Sequence, residues 1–186
     1  MRKIQWILPT LLLSAFIPLV VGGPAQAATT AQPTTVQVTI HGHPAVLHAM
    51  SGKDETAELA KINAGNAKAL RPNVTNPCFG LGVLCLFQDI NGGGTIVGFT
   101  EAFLFEPGAL NLTDFPLGSG SWNDQMSSWG NDIGGDANAA TMCWWVDINS
   151  GGAGHLMRPL GANIQNVLPS ENDLASSVDT ANPTCG

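Results

Sequence analysis

The chain has no tyrosine, and charged side chains make up only 11% of its 186 residues. Basic residues are scarcest in the C-terminal part. After position 77 the only lysine or arginine is Arg158, against eleven aspartates and glutamates. A surface this acidic repels phosphate backbones, so the sequence predicts no nucleic-acid partner. Its carboxylates suit hard cations or a basic protein surface instead.

Motifs of common enzymes are also missing. The chain contains neither the HExxH zinc motif nor the GxSxG nucleophile motif, and His155 is the only histidine after position 77. Asp132 and Asp136 lie among glycine and asparagine, which predicts solvated turns rather than a catalytic carboxylate pair. The three glycines at 92–94 precede no lysine and no helical pattern, which argues against a phosphate-binding loop. We therefore expect a protein without catalytic activity.

Long apolar runs are confined to the N-terminus. The chain opens with two basic residues, continues with an apolar stretch over 4–21, and then has the small-x-small sequence Ala-Gln-Ala at 25–27. This pattern is typical of a secretory signal peptide, which we assign to residues 1–27. No later run reaches the roughly 18 residues that a spanning helix needs. We predict a secreted, extracellular protein with no permanent membrane anchor.

Cysteine is sparse but even in number. Four cysteines follow the signal: Cys78, Cys85, Cys143 and Cys185. In an exported chain this predicts two disulfides, with three pairings open. The tight CxxC spacing of a cysteine metal site is absent. We favour Cys78–Cys85, which closes a short loop, and Cys143–Cys185, which ties an internal strand to the end of the chain.

Residues 28–77 lack a consistent apolar pattern. Alternation at 36–40 predicts one short strand, and 53–70 contains good helix formers without an apolar stripe. Three histidines lie in this region: His41, His43 and His48. They lack acidic or thiol neighbours, which favours solvated side chains over metal ligands. We expect residues 28–77 to form a flexible N-terminal tail or linker that is partly helical.

From residue 78 short apolar runs alternate with turn residues. Six strands are predicted there, at 83–87, 95–99, 102–105, 142–146, 155–157 and 164–168. The clusters Asn-Gly-Gly-Gly at 91–94 and Asn-Ser-Gly-Gly at 149–152 are hairpin turns, because asparagine and glycine tolerate a positive φ. No convincing helix pattern follows residue 77. Short strands with frequent turns predict an all-β sandwich.

The same unit occurs twice in this region. CLFQDINGGG at 85–94 and CWWVDINSGG at 143–152 share six of ten residues. SWNDQMSSW at 121–129 and SENDLASSV at 170–178 share five of nine. Two repeats in the same order indicate a duplicated supersecondary unit. The first copy is longer because it carries an insertion between its two motifs.

A hairpin that opens with an aromatic residue, a glycine turn and then N/D-N/D-x-x-S/T-S resembles the βγ-crystallin Greek-key motif. With the signal peptide and the sequence WNDQMSSW, the chain looks most like peptidase inhibitor family 36, the secreted metalloproteinase inhibitors of streptomycete type. It departs from the superfamily at Gly92 and Ser150, which replace a second aromatic residue. The resemblance implies a βγ-crystallin-like sandwich over 78–186, with Greek keys at about 78–142 and 143–186.

The resemblance also implies a calcium site at each NDxxSS loop, completed by the hairpin of the other Greek key. Asp124 and Ser127 would face the turn at Asp147, and the equivalent pair of the second loop would face the turn at Asp89. Ca²⁺ prefers such oxygen ligands. The candidate ligands are Asn123, Asp124, Ser127, Asn172, Asp173, Ser176, Asp89 and Asp147. Alternatively, these side chains only cap turns by accepting hydrogen bonds from nearby backbone N–H groups.

The family's activity implies inhibition of extracellular metallopeptidases of the thermolysin type through a rigid loop in the active-site cleft. The candidate loop is the short disulfide loop, with Cys78, Phe79, Leu81 and Cys85 as its key residues. A rigid loop loses little conformational entropy on binding. Alternatively, its apolar side chains pack in the core. We expect a monomer with calcium as its only cofactor. The alternative function is a calcium-binding structural module of the cell surface or matrix.

Overall fold

Strands dominate the part of the chain that the computed structural model describes, which is residues 31–67, 73–105, 108–133, 142–158, 161–180 and Cys185. The strands in this part are β1 (Pro33–Ile40), β2 (His43–Met50), β3 (Val83–Phe87), β4 (Ile96–Thr100), β5 (Leu110–Asn111), β6 (Pro116–Leu117), β7 (Gly120–Ser121), β8 (Ser128–Asn131), β9 (Met142–Asp147), β10 (Gly151–Met157), β11 (Gln165–Asn166) and β12 (Ser177–Asp179). The helices are α1 (Lys53–Asn66) and α2 (Glu101–Leu104), with 3-10 turns at Ile90–Gly92, Leu112–Asp114 and Ile148–Ser150.

The duplicated units form two sheets that exchange a strand. One sheet has the order β1-β2-β4-β3-β8-β11 and the other the order β10-β9-β12-β5. Each unit places its first, second and fourth strands in its own sheet and its third strand, β5 or β11, in the other sheet. The predicted all-β sandwich of two Greek-key motifs is therefore confirmed. Because of this exchange, each sheet contains one strand that comes from the other unit.

The main core lies between the two sheets. Alternate residues of facing strands point inward, including Leu84 and Leu86 of β3 and Trp144 of β9. Trp122 and Trp129 complete this cluster, and Trp122 is fully buried. The remaining aromatic residues of the two repeat openings, Phe87 and Trp145, are buried in two smaller clusters on the outer faces of the sheets. The strand period of two explains why neighbouring tryptophans at 144 and 145 enter different clusters.

The N-terminal segment differs from the expected tail. From residue 31 onward it belongs to the same compact unit as the sandwich. The β1–β2 hairpin extends the first sheet, because β2 pairs in parallel with β4. Ile40 and Leu47 from this hairpin pack with Ile62 of α1 and with Cys85. The prediction of a tail or linker over 28–77 is therefore wrong for the described residues, although its helical part is confirmed.

Helix α1 is held to the sandwich by polar contacts as well as by packing. Asp54 accepts hydrogen bonds from the Met50 amide, at 2.6 Å, and from the Thr100 hydroxyl, at 2.8 Å. Lys61 pairs with the buried Glu58 at 2.6 Å and donates to the Leu81 carbonyl at 3.2 Å. Burial raises the pKa of Glu58. These contacts fix the helix over the disulfide loop.

The strand predicted at 102–105 is wrong, because residues Glu101–Leu104 form a short helix, α2. Its first turn is capped by Thr100, whose hydroxyl accepts a hydrogen bond from the Phe103 amide at 3.3 Å. Phe103 and Leu104 are both buried, whereas Ala102 and Phe105 are exposed, so the buried positions are adjacent and do not alternate as in a half-buried strand. Among the described residues, no helix is long and apolar enough to cross a membrane.

Both disulfides have the pairing that the sequence favoured. Cys78 is bonded to Cys85, which closes a loop at the start of β3. Cys143 of β9 is bonded to Cys185. The second bridge lies on the outer face of its sheet, where Trp145 and Leu156 pack against it. Two structural disulfides indicate an oxidising environment.

Candidate functional site

The two repeat hairpins have the same backbone conformation. Asn91 and Asn149 occupy the left-handed region, with φ of 57° and 56°. Asparagine and glycine adopt this region at low cost, which explains why both repeats have the sequence Asp-Ile-Asn at this turn. The hairpins therefore fold back over their sheets in the same way. Asp89 and Asp147, at the start of each turn, are both exposed.

The last serine of each NDxxSS motif holds the hairpin of its own Greek key. Ser128 donates to the Asp89 carbonyl at 2.6 Å and accepts from the Gly92 amide at 3.1 Å. Ser177 donates to the Asp147 carbonyl at 2.7 Å and accepts from the amide of residue 150 at 3.1 Å. Both serines are fully buried. Their role is structural, and the repeat in sequence was the only signal that pointed to them.

The preceding serine of each motif contacts the aspartate of the other loop. The Ser127 hydroxyl donates to Asp173 Oδ1 at 3.2 Å, and the Ser176 hydroxyl donates to Asp124 Oδ1 at 3.3 Å. Both serines are 6% exposed, whereas both aspartates are exposed. The loops also exchange backbone hydrogen bonds, from the Asp124 amide to Ala175 and from the Asp173 amide to Met126. The two loops therefore form one pseudosymmetric pair.

The asparagine of each motif fixes its neighbouring aspartate. Asn123 Nδ2 donates to Asp124 Oδ2 at 2.7 Å, and Asn172 Nδ2 donates to Asp173 Oδ2 at 2.6 Å. Each aspartate adopts the left-handed region, with φ of 54° and 58°. Each carboxylate thus has one oxygen bonded to an asparagine and the other to a serine. The asparagine side chains position the carboxylates in this structure.

The observed contacts group the candidate calcium ligands differently from the two ligand sets that the resemblance implies. Asp173 lies near Asp89, as expected, since both line a cavity of about 730 Å³. Ser127 lines the same cavity, and its amide donates to the Phe87 carbonyl at 3.0 Å. It therefore lies at the hairpin of its own Greek key and not at the Asp147 turn. The predicted serine partners are exchanged between the two loops.

The second loop pair shows the same arrangement. The Ser176 amide donates to the Trp145 carbonyl at 2.8 Å, which places this serine beside the hairpin of its own unit. Its hydroxyl contacts Asp124 from the other unit. Each candidate site thus takes an aspartate from one Greek key and a serine from the other, next to the hairpin of the serine's own unit. The strand exchange between the sheets brings these loops together.

The atoms that could ligate a metal ion at the two NDxxSS loops are all oxygens. Carboxylate, hydroxyl and backbone carbonyl groups are the ligands that Ca²⁺ prefers. Among the described residues, no group of three or more His, Cys, Asp or Glu side chains could hold a metal ion. A calcium ion at these loops would need hydroxyl, carbonyl and water oxygens to complete its coordination.

The candidate inhibitory loop is rigid, but little of it is exposed. Leu81 is 4% exposed, so the prediction that it serves as an inhibitory side chain is wrong. Both cysteines of the loop are fully buried, whereas Phe79 is 40% exposed. Asp132 accepts from the amides of Gly80 and Gly82 at 2.7 and 3.0 Å. Asp132 therefore braces the loop and is not the solvated turn residue that was expected. Asp136 lies outside the described residues.

One of the three N-terminal histidines is part of the core. His48 is 5% exposed and stacks among Phe99, Phe103 and Phe115, with ring centroids 4.6–5.6 Å away. Its Nδ1 lies 3.1 Å from the Thr35 hydroxyl, and its Nε2 has no hydrogen-bond partner among the described residues. Burial lowers its pKa to about 4. No local sequence pattern predicts this packing, because the surrounding phenylalanines are distant in the chain.

Comparisons with known proteins give one structural match. No family model matches the chain, and no curated protein is significantly similar to it. Among solved structures, a double mutant of a βγ-crystallin domain from Clostridium beijerinckii is 24% identical. The match covers 52% of this chain and 93% of that chain, with a TM-score of 0.36.

Proposed function

We propose that this protein is a calcium-binding structural module of βγ-crystallin type that acts outside the cell. The reciprocal Asp–Ser contacts between the two NDxxSS loops carry this proposal. Turn capping alone does not require an exposed carboxylate from one Greek key to meet a buried hydroxyl from the other. The two disulfides fit an oxidising extracellular location.

The residues around each loop fit a cation with several oxygen ligands. In one place Asp173, Ser127 and the hairpin at Asp89 surround an open cavity. In the other place Asp124 and Ser176 lie beside the hairpin that begins at Asp147. When bound, Ca²⁺ would neutralise carboxylates in residues 78–186, which have one basic side chain against eleven acidic ones. The loops come from different Greek keys, so ligation at either place would link the two halves of the sandwich.

Calcium is therefore expected to raise the melting temperature of the protein. A ligand that binds only the folded state adds about 2.7 kcal/mol at one hundred times its Kd. In a domain of this size that corresponds to roughly 5–10 °C for one site. The double variant Asp124→Ala/Asp173→Ala removes one carboxylate from each place and should abolish the rise. Differential scanning calorimetry with and without CaCl₂ measures the effect.

The control for this experiment is Glu55→Ala/Glu101→Ala, which removes one half-buried and one exposed carboxylate on helices α1 and α2, away from the loops. It makes the same change in net charge and should keep the full calcium-dependent rise. MgCl₂ at the same concentration separates specific ligation from general charge screening. An equal rise in the Asp124→Ala/Asp173→Ala variant would mean that the NDxxSS loops only cap turns.

A second candidate function is inhibition of a metallopeptidase, and the position of Phe79 favours it. This side chain is 40% exposed at the start of a loop that is closed by the Cys78–Cys85 bridge. The two hydrogen bonds to Asp132 further restrict the loop. A preorganised apolar side chain of this kind suits a hydrophobic subsite of a protease. The partner proposed here is an extracellular thermolysin-like enzyme.

We expect stoichiometric loss of thermolysin activity when the mature protein is added in constant calcium, if this second function holds. Phe79→Ala should then weaken inhibition at least about tenfold, because truncating an anchor residue typically costs 2 kcal/mol or more. Phe105→Ala is the matched control, since Phe105 is 52% exposed elsewhere on the domain. Full activity at a large excess of the protein, with several metallopeptidases, would reject inhibition and leave the calcium proposal intact.

A further inference from the structure

Strand β1 is the longest edge strand of the two sheets in the described part of the chain. The sheets end at β1 and β11, and at β10 and β5. β5 and β11 have two residues each, and β10 is interrupted by a bulge between Gly151 and Gly154. β1 has eight residues and pairs with β2 in an unbroken register. Short or bulged edges resist further pairing, whereas a long regular edge invites it.

Three residues in β1 direct their backbone groups away from β2. The hairpin turn has two residues, His41 and Gly42, so Ile40 and His43 form the hydrogen-bonded pair beside it. Because the bonding alternates along the strand, the N–H and C=O groups of Thr35, Gln37 and Thr39 point outward. One contact supports this assignment, since the outward Thr39 carbonyl accepts from the side chain of Asn66.

The usual protection of an edge strand is absent from β1. Proteins guard such edges with lysine, other charges, proline or a bulge. β1 contains no charged residue, and its single proline is at position 33, where the strand begins. The chain as a whole carries a net charge of −7, so a second copy is repelled over much of its surface. The β1 edge lacks that repulsion.

The sequence of β1 is also complementary to itself. Residues 35–39 read Thr-Val-Gln-Val-Thr, which is symmetric about Gln37. We propose that β1 of one copy pairs antiparallel with β1 of a second copy about a twofold axis at Gln37, forming a continuous twelve-stranded sheet. Gln37 then lies opposite Gln37 of the second copy, Val36 opposite Val38, and Thr35 opposite Thr39. Paired β-branched residues and paired threonines stabilise adjacent strands.

This register also satisfies the outward backbone groups. Gln37 and its equivalent exchange two hydrogen bonds, and each Thr35–Thr39 pair exchanges two more, for which the Thr39 carbonyl must exchange or share its hydrogen bond from the Asn66 side chain. The contact is isologous, so it closes as a dimer and does not propagate into a fibre. This proposed dimer differs from the monomer that the sequence predicts, and the experiment below decides between the two. The dimer is independent of the calcium and protease proposals, because none of the residues assigned to those sites lies in β1.

The test is sedimentation equilibrium of the mature protein over a range of concentrations. We expect a monomer–dimer equilibrium in the wild type. Gln37→Lys places two like charges opposite each other on the axis and should raise the dimer Kd by about tenfold or more. Gln37→Glu should have the same effect. An equimolar mixture of the two variants should associate again, because the axis then pairs lysine with glutamate.

The control is Ser119→Lys, which adds the same charge in the exposed turn between β6 and β7 and should leave the dimer unchanged. Circular dichroism and the melting temperature verify that each variant is folded. A wild type that stays monomeric at millimolar concentration would overturn the proposal, as would covering of this edge by residues that precede β1. Association of Gln37→Lys equal to that of the wild type would also overturn it, since the interface would then lie elsewhere.

Discussion

The double variant Cys143→Ala/Cys185→Ala is expected to have a free energy of unfolding about 4 kcal/mol lower than that of the wild type. This bridge joins residues 42 positions apart, and closing a loop of that length restricts the unfolded chain strongly. The loss is large against the roughly 5–15 kcal/mol that stabilises a typical domain. It should lower the melting temperature by roughly 8–16 °C. Urea denaturation followed by tryptophan fluorescence measures it, because Trp145 packs on the bridge.

The matched comparison is the double alanine variant of Cys78 and Cys85. Its cysteines are also buried, but the bridge spans only seven positions. The same loop-closure relation predicts a loss of about 2.5 kcal/mol. Equal losses in the two double variants would contradict the loop-length account and would assign the effect to local packing. The cavity left by each sulfur pair is similar, so it largely cancels in the comparison.

The long bridge also shows how the end of the chain is placed. Gly154 of β10 lies under Cys185, and a Cβ atom at this glycine would be 2.4 Å from the Cys185 carbonyl oxygen. The same atom would be 2.6 Å from the ring of Trp145. Only glycine permits this close approach of the two segments. The second sheet is therefore covered on its outer face by a tryptophan and a disulfide, where the first sheet has helix α1.

Much of the sandwich was predictable because its signals are local and repeated. The two Asp-Ile-Asn turns and the two NDxxSS loops recur in the same order, and the structure gives each pair the same backbone conformation. The number of cysteines predicted two disulfides, and the observed pairing is the one favoured among three open alternatives. What the repeats did not show is which serine meets which aspartate. That depends on the exchange of β5 and β11 between the sheets, which is a property of the whole topology.

The packing of the N-terminal hairpin and helix onto the sandwich was missed for a different physical reason. Helix α1 buries only Glu58 and Ile62, so it has no apolar stripe to predict packing. Strand β2 is buried on both faces in its second half, with Leu47 on one side and His48 on the other. Such a strand lacks the alternation that identifies a half-buried one. Its parallel pairing with β4 is a contact between distant segments, and sequence patterns do not encode such contacts.

Acid is expected to destabilise the protein between pH 6.5 and pH 4 through His48. Burial lowers the pKa of this histidine to about 4 in the folded state, below the value of 6.5 in the unfolded chain. The unfolded state therefore binds the proton first, and the stability that is present above pH 6.5 is lost as the pH falls towards 4. The loss amounts to about 3 kcal/mol. Chemical denaturation at half-unit pH steps measures it.

The variant His48→Phe isolates this effect, because phenylalanine fits the surrounding aromatic cluster and carries no proton. We expect its stability to change less with pH, and its advantage over the wild type to grow as the pH falls. Taking the difference between the two proteins removes the opposite contribution of Glu58, whose raised pKa favours the folded state at low pH. His43→Phe, in the same hairpin but half-buried, is the control. If the difference in the free energy of unfolding between His48→Phe and the wild type stays constant from pH 7 to pH 4, protonation of His48 does not destabilise the folded state and this prediction is wrong.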